Sequence, residues 1–205
     1  MVEHMDASEH SPHDFDAAYV GTPPWDIGRP QTAFRELANA GQLHGRVLDV
    51  GCGTGEHALM AAALGLHATG VDTSRRAIDL AKAKADERRL AVRFVVWDAL
   101  QLAALRERFD TVLDSGLYHV FDDAARARYV DSLASAMPPG GRYFMLCFSD
   151  RQPGEWGPRR VTEDDIRTSF RVGWHIDSLV RTSMDITIDP RRAEGWLAAI
   201  TRAEE

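Results

Sequence analysis

The 205-residue chain has only two cysteines, Cys52 and Cys147, too few for a disulfide framework, so a reduced protein is expected. No apolar run approaches the ~20 residues that a membrane-spanning helix requires. Positive charge is also short. The net charge of −7 argues against a nucleic-acid substrate, because duplex binding depends on neutralising many phosphates. The basic pairs Arg75-Arg76, Arg88-Arg89, Arg159-Arg160 and Arg191-Arg192 are dispersed and read as solvated surfaces. The opening segment, MVEHMDASEHSPHDFD, has neither a basic n-region nor an apolar h-region, so a cytoplasmic location is expected. His4, His10 and His13 in that segment lack paired ligand spacing, and no metal site is expected. There is no internal repeat and no low-complexity stretch. The expectation is one domain over 14–205 behind a flexible arm over 1–13.

The richest stretch is Arg46–Leu59, RVLDVGCGTGEHAL. Val47, Leu48 and Val50 are apolar and flank Asp49, as in a buried strand. Gly51, Gly53 and Gly55 follow at alternate positions, and an Ala/Leu-rich helix starts near Glu56. Glycine is needed where φ is positive or where a ligand must approach main chain closely. A glycine turn at a helix N-terminus also offers unpaired N–H groups to an anionic ligand group. A dinucleotide fingerprint would read G-x-G-x-x-G. Here the third fingerprint position is Glu56, and the pattern is G-x-G-x-G.

Three further strand ends follow. Asp72 closes the apolar run HATGVDTS, 21 positions after Gly51, where an acidic residue can bind both hydroxyls of a ribose. Its alternative is a helix cap, a role that Thr73 or Ser74 can fill as well. Asp98 ends VRFVVWDAL and is followed by Ala99 and Leu100. Asp114 and Ser115 end FDTVLDS, followed by Gly116, Leu117, Tyr118 and His119.

These residues resemble the first motif and the successive strand tips of class I S-adenosylmethionine (SAM) dependent methyltransferases. The resemblance implies SAM as cofactor and S-adenosylhomocysteine as product. It implies a cofactor site made of Asp49, Gly51, Cys52, Gly53, Gly55, Asp72, Thr73, Asp98, Ala99, Leu100, Asp114 and Ser115, with Asp98 reaching the adenine amino group. Thr22–Gln31, TPPWDIGRPQ, resembles the PWD-x-G-x-P segment of the thiopurine, thiol and halide methyltransferase group. With DSGLYHVF and VTEDDIR it is similar to bacterial heterocycle-directed members, over residues 14–201. In that group the tryptophan segment closes over the cofactor, which implies Trp25 as a further cofactor contact. Asp26 and Arg29 could instead pair locally or cap the next helix.

The methyl of SAM is already activated, so the protein must mainly align a nucleophile. If a base is used, His119 is the candidate, with Tyr118 orienting the acceptor. The plainer alternative is that both residues start a helix and pack on Phe121. The expected function is methyl transfer to S, O or N of a small aromatic, heterocyclic or thiol acceptor. A SAM-binding protein without turnover is the alternative. A nicotinamide oxidoreductase is disfavoured by Glu56, and an NPPY-like fourth motif is lacking.

Alternating strands and helices predict an α/β fold: a Rossmann-like, doubly wound, seven-stranded sheet, mostly parallel with an antiparallel last strand. Helices are expected at Gln31–Ala40, Glu56–Leu64, Arg75–Arg89, Ala124–Met137 and from Thr162 to about Phe170. Val92–Leu100, Phe109–Ser115, Arg142–Phe148, Trp174–Ile188 and Gly195–Thr201 are read as strands after the first two. Ser149–Pro158 is read as a loop bordering the acceptor pocket.

Overall fold

The structure is a computed structural model that describes residues 12–204. The arm expected over 1–13 thus lies outside the described residues, except for the last two, which begin a helix. Seven strands form one sheet: β1 (Arg46–Val50), β2 (His67–Asp72), β3 (Val92–Val96), β4 (Thr111–Ser115), β5 (Arg142–Phe148), β6 (Trp174–Asp185) and β7 (Arg192–Arg202). Their order is β3-β2-β1-β4-β5-β7-β6. Pairs among the first five are parallel, and β7 runs antiparallel to both β5 and β6. This is the expected Rossmann-like doubly wound sheet.

Six helices accompany it: α1 (Pro12–Ala18), α2 (Thr32–Asn39), α3 (Glu56–Ala63), α4 (Arg75–Arg88), α5 (Asp123–Ala136) and α6 (Glu163–Ser169). Their ends are written locally. The Ser74 hydroxyl accepts the Ala77 N–H at 3.1 Å to start α4, a cap worth about 1 kcal/mol. Asp122 caps α5 in the same way, and Thr162 with Asp165 forms a capping box on α6. α1, at the end of the polar opening segment, is a helix that the sequence does not lead one to expect.

Side chains alternate across the central strands, as strand geometry requires. Val47, Leu113, Phe144 and Leu146 pack with α2, α3 and α4 on one face. Leu48, Val50, Val112, Tyr143 and Met145 pack with α5 and α6 on the other. Both faces are covered, which is why these strands read as continuous apolar runs. β3 is shorter than expected. It stops at Val96, because Asp98 caps a 3-10 turn over Ala99–Leu105 by accepting the Leu100 N–H at 2.8 Å. β6 ends at Asp185, and β7 starts three residues earlier than expected, at Arg192.

The strand order reverses between β1 and β4, so a crevice opens beyond their carboxyl ends, where ligands of open α/β sheets bind. Among the described residues no helix is long and apolar enough to cross a membrane.

Candidate functional site

The glycine turn is left-handed where its spacing requires it. Gly51, Gly53 and Gly55 have φ of 65°, 51° and 85°. A Cβ on Gly55 would lie 2.5 Å from Phe94 Cζ, and one on Gly53 would lie 2.6 Å from the Tyr19 hydroxyl. The turn is tied to β2 from two sides. Cys52 N–H donates to Val71 O at 2.9 Å, and Gly53 N–H donates to Asp72 Oδ2 at 2.8 Å. Asp72 Oδ1 accepts the Ser74 N–H at 2.8 Å, while Ser74 itself caps α4. The carboxylate thus stands at the strand tip, as the sequence predicts, and is not the helix cap. Burial pushes it up, with a further push from Asp49, against the Ser74 and Gly53 N–H bonds.

Asp49 points to the α3 face. One oxygen accepts the Ala58 N–H at 3.0 Å, and the other is buried without a partner. His57 Nδ1 is 3.7 Å from it, too far for a hydrogen bond, and His57 Nε2 accepts the Gln31 N–H. A buried carboxylate oxygen without a donor suits an ammonium group, since an unmet acceptor is costly. Beside it, a pocket is lined by Tyr19, Trp25, Asp26, Gly51, Cys52, Gly53, Thr54, His57 and Ser115. Trp25 is 42% exposed, its indole N–H donates to the Tyr19 hydroxyl at 2.9 Å, and its ring meets those of Phe15 and Tyr19 edge-on. These three rings form an aromatic cover over the turn.

Asp26 and Arg29 depart from the expectation of a mutual pair or a helix cap. Asp26 accepts the Thr54 hydroxyl at 3.0 Å, and Arg29 pairs with Asp185 at 3.1 Å. Gln31, at the N-cap of α2, makes no side-chain cap bond; its amide exchanges two bonds with the Asp185 backbone. Glu56 is buried, held by Lys84 at 2.8 Å and by Arg88 through both oxygens at 2.8 and 2.9 Å. Burial pushes its carboxyl up, but the Arg88 and Lys84 bonds outweigh that and hold it below its ordinary value. The residue that breaks the dinucleotide fingerprint therefore fastens α3 to α4.

A second cleft adjoins the β2 and β3 tips, lined by Thr73, Val96, Trp97, Asp98 and Gln101. Asp98 and Thr73 meet there as expected. Ala99 and Leu100, expected beside the adenine, are not among the residues that line it. Ala99 is buried, with its carbonyl accepting the Ser132 hydroxyl, and Leu100 is half-buried against the core. Trp97 and Gln101 line it instead; the aromatic residue before the strand-tip acid was the available signal.

The β4 tip departs most from expectation. Asp114 shares a strand face with Val112, opposite to Asp49, and so points away from the glycine turn. It is fully buried and accepts four bonds: Leu117 N–H at 2.8 Å, Tyr118 N–H at 3.4 Å, and the Tyr129 and Tyr143 hydroxyls at 2.8 and 2.6 Å. Its geometry is that of a residue holding the 115–119 turn, not of a cofactor contact.

Tyr118 and His119 lie in a 3-10 turn, Tyr118–Val120. The Tyr118 hydroxyl bonds Ser169 at 2.7 Å, and the Arg126 guanidinium lies 4.4 Å from its ring centre, so it faces α6 and not the crevice. His119 Nδ1 accepts the Phe148 N–H at 2.9 Å. Burial lowers its pKa to about 3, helped by the charges of Arg126 and Arg160. A neutral ring that already accepts at Nδ1 carries its proton on Nε2 and has no free lone pair. His119 is therefore arranged as a hydrogen-bond donor, which corrects the reading of it as a base.

Comparison with known proteins places the chain. Residues 47–141 match the model of a methyltransferase domain. A 2-heptyl-1-hydroxyquinolin-4(1H)-one methyltransferase of Mycobacteroides abscessus is 38% identical over 160 residues, 77% of this chain and 70% of that one. The chain belongs to the SAM-dependent methyltransferases, and SAM is its cofactor. Probable thiol methyltransferase 2 of Arabidopsis thaliana is 25% identical over 92% of this chain and 84% of its own length. A structure solved for the conversion of a disulfide bond into a thioacetal group during echinomycin biosynthesis is 39% identical, with a TM-score of 0.86. It covers 94% of this chain and 93% of its own. The reading of a SAM-binding protein without turnover finds no support among these relatives.

The residues present fit that cofactor. The partnerless oxygen of Asp49 suits the methionyl ammonium, the glycines leave room for the methionyl chain, and the Asp72 carboxylate at the β2 tip offers acceptors suited to ribose hydroxyls. The Thr73–Gln101 cleft is edged by a planar indole and a carboxylate suited to an adenine.

Proposed function

We propose that the chain transfers a methyl group to S, O or N of a small aromatic, heterocyclic or thiol acceptor. The observation that carries this reading is the pocket at the β1 and β4 tips, lined by Trp25, Gly51, His57 and Ser115. Gly116 follows Ser115 at the β4 tip, where a Cβ would come within 2.9 Å of Met184 and 3.3 Å of His119 Nε2, so the backbone packs closely on both. The aromatic cover at Trp25 closes the cofactor side. The similarity to a quinolone methyltransferase and to sulfur-directed proteins supports the acceptor class.

Bound SAM supplies an electrophilic methyl on a sulfonium. The chain's own residues have the tasks of binding and aligning. Asp49, Gly51, Cys52, Gly53 and Gly55 would hold the methionyl end, Asp72 and Thr73 the ribose, and Asp98 with Trp97 the adenine. Trp25 and Tyr19 would exclude water above the turn, and Ser115 would border the methyl. His119 would donate its Nε2 proton to an acceptor heteroatom and so orient it. With no base at His119, the reading favours acceptors whose S–H, N–OH or phenolic O–H ionises near neutral pH by itself, with the proton passing to solvent.

The test is S-adenosylhomocysteine release from SAM with a panel of thiols, phenols and 1-hydroxyquinolones. Release with at least one ionisable aromatic acceptor is expected. Release with none of the panel overturns the proposal.

A further inference from the structure

His57, the second residue of α3, belongs to the cofactor pocket although the glycine pattern ends before it. Its ring is buried, meets the Phe34 ring edge-on at 4.9 Å between centres, and lines the pocket together with Gly51, Cys52 and Ser115. Nε2 accepts the Gln31 N–H at 3.2 Å. An imidazole that accepts at Nε2 carries its proton on Nδ1. Gln31 is itself held, because its amide exchanges bonds of 2.9 and 2.8 Å with the Asp185 backbone. The tautomer of His57 is thus set by a fixed main-chain donor.

Among the described residues the resulting Nδ1–H has no acceptor. It lies 3.7 Å from Asp49 Oδ1, beyond hydrogen-bond range, and that oxygen is itself buried without a partner. An unmet donor and an unmet acceptor therefore lie side by side at one pocket. Together they complement a zwitterion, with the ammonium on the acceptor and the carboxylate on the donor. Many other donors there are spent. In the glycine turn, Cys52 N–H goes to Val71 O, Gly53 N–H to Asp72 and Gly55 N–H to Cys52 O. Of the lining side chains, Arg29 pairs with Asp185, the Trp25 indole donates to Tyr19, and the Thr54 hydroxyl donates to Asp26. His57 Nδ1–H and the hydroxyls of Tyr19 and Ser115 are left, and His57 is the one 3.7 Å from the unmet Asp49 oxygen.

We infer that His57 is a cofactor-binding residue, donating its Nδ1–H to the carboxylate of the methionyl group whose ammonium Asp49 accepts. The Gln31 N–H keeps the proton on the nitrogen that faces this task. The two side chains read the amino-acid head group together, so the site separates SAM and its product from nucleosides that offer only adenine, ribose and sulfur.

Isothermal titration compares S-adenosylhomocysteine, its decarboxylated analogue, and methylthioadenosine, which keeps the nucleoside but lacks the head group. A hydrogen bond to a charged group is worth about ten- to a hundredfold in affinity. His57→Ala should weaken S-adenosylhomocysteine by that factor and leave the other two nearly unchanged. His57→Asn, which keeps an N–H near the Nδ1 position, should retain most of the affinity. Asp49→Asn should weaken both ammonium-bearing ligands and spare methylthioadenosine. Equal losses for all three ligands in His57→Ala would mark the ring as packing alone and overturn the inference, as would no loss for any. A carboxylate preference that survives His57→Ala and disappears in Arg29→Gln also overturns it. Binding alone is read, so the outcome is independent of which acceptor is methylated.

Discussion

Asp114 offers the sharpest test of how this site is held together. Its carboxylate is fully buried, and burial pushes it up to about 6 against four hydrogen bonds that pull it down. In the unfolded chain the same group titrates near 3.8. The folded protein therefore holds a proton that the unfolded chain has released, across the window from about pH 4 to about pH 6. Stability falls as pH rises through that window. At about 1.4 kcal/mol per unit, the loss is about 3 kcal/mol. Asp114→Asn removes the titration but keeps the shape. Its oxygen can accept the Leu117 and Tyr118 N–H groups, while its amide donates to the two tyrosine oxygens, whose hydroxyls rotate. Urea unfolding from pH 4 to 7.5 should show the Asn variant gaining on the wild type by about 3 kcal/mol as pH rises. Parallel stability profiles would refute the reasoning. Asp114→Ala, by contrast, strands buried donors at about 1–3 kcal/mol each and should destabilise at every pH.

Asp72→Ala should weaken SAM binding by about a hundredfold in isothermal titration, the worth of two hydroxyl bonds to a charged acceptor. Unchanged affinity would remove Asp72 from the ribose site. Glu56→Gln should lower unfolding free energy by about 1–3 kcal/mol at neutral pH, since bonds from Lys84 and Arg88 to a charge are lost. Because those partners hold its pKa down, Glu56 adds stability above the ordinary carboxyl range, and the deficit should shrink as pH falls through it. A deficit independent of pH counts against the ion-pair account. The wild-type rate should show no titration limb near pH 6.5 from His119, because its Nδ1 is engaged and burial keeps the ring neutral. A limb there that vanishes in His119→Gln would restore it as a base.

How far the sequence spoke depended on whether a residue's partner was close along the chain. The glycine turn, Asp72, Asp98 and their strands are local devices: each is read from a run of apolar residues ending in one special side chain. The doubly wound, mostly parallel class of the sheet followed from their alternation. Asp98 starts a 3-10 turn that buries Ala99 and leaves Leu100 half-buried, a local turn the apolar run did not announce. Asp114 was misread through strand parity. The family pattern supplied an acid at a strand tip, but in this chain its face is set by Tyr129 and Tyr143, 15 and 29 residues away. His119 was misread for the same cause, since what engages its ring is the backbone of Phe148, 29 residues on. A histidine near neutral pKa is a base only until burial and a donor claim it.

The segment from Phe15 to Thr32 shows why a loop-like stretch can carry as clear a signature as a strand. Asp16 accepts the Ser74 hydroxyl at 2.8 Å and the Arg76 N–H at 3.0 Å, at the start of α4. Tyr19 lies over Gly53, Pro24 O accepts the Thr187 N–H at 2.9 Å, and Asp26 takes the Thr54 hydroxyl. Arg29, Gln31 and Thr32 all converge on Asp185 at the end of β6. A segment without a sheet or a long helix must satisfy its polar groups through particular partners. Here those partners are the tips of elements far apart in sequence: the β2–α4 turn, the glycine turn and the β6–β7 hairpin. Each partner restricts the residue that meets it, which writes a pattern into TPPWDIGRPQ. The same ties hold the aromatic cover over the glycine turn and brace the hairpin whose Met184 packs against Gly116. The glycine turn, the β2–α4 turn and the β6–β7 hairpin are therefore held in register by one strap, so a change in its length or partners shifts all three together.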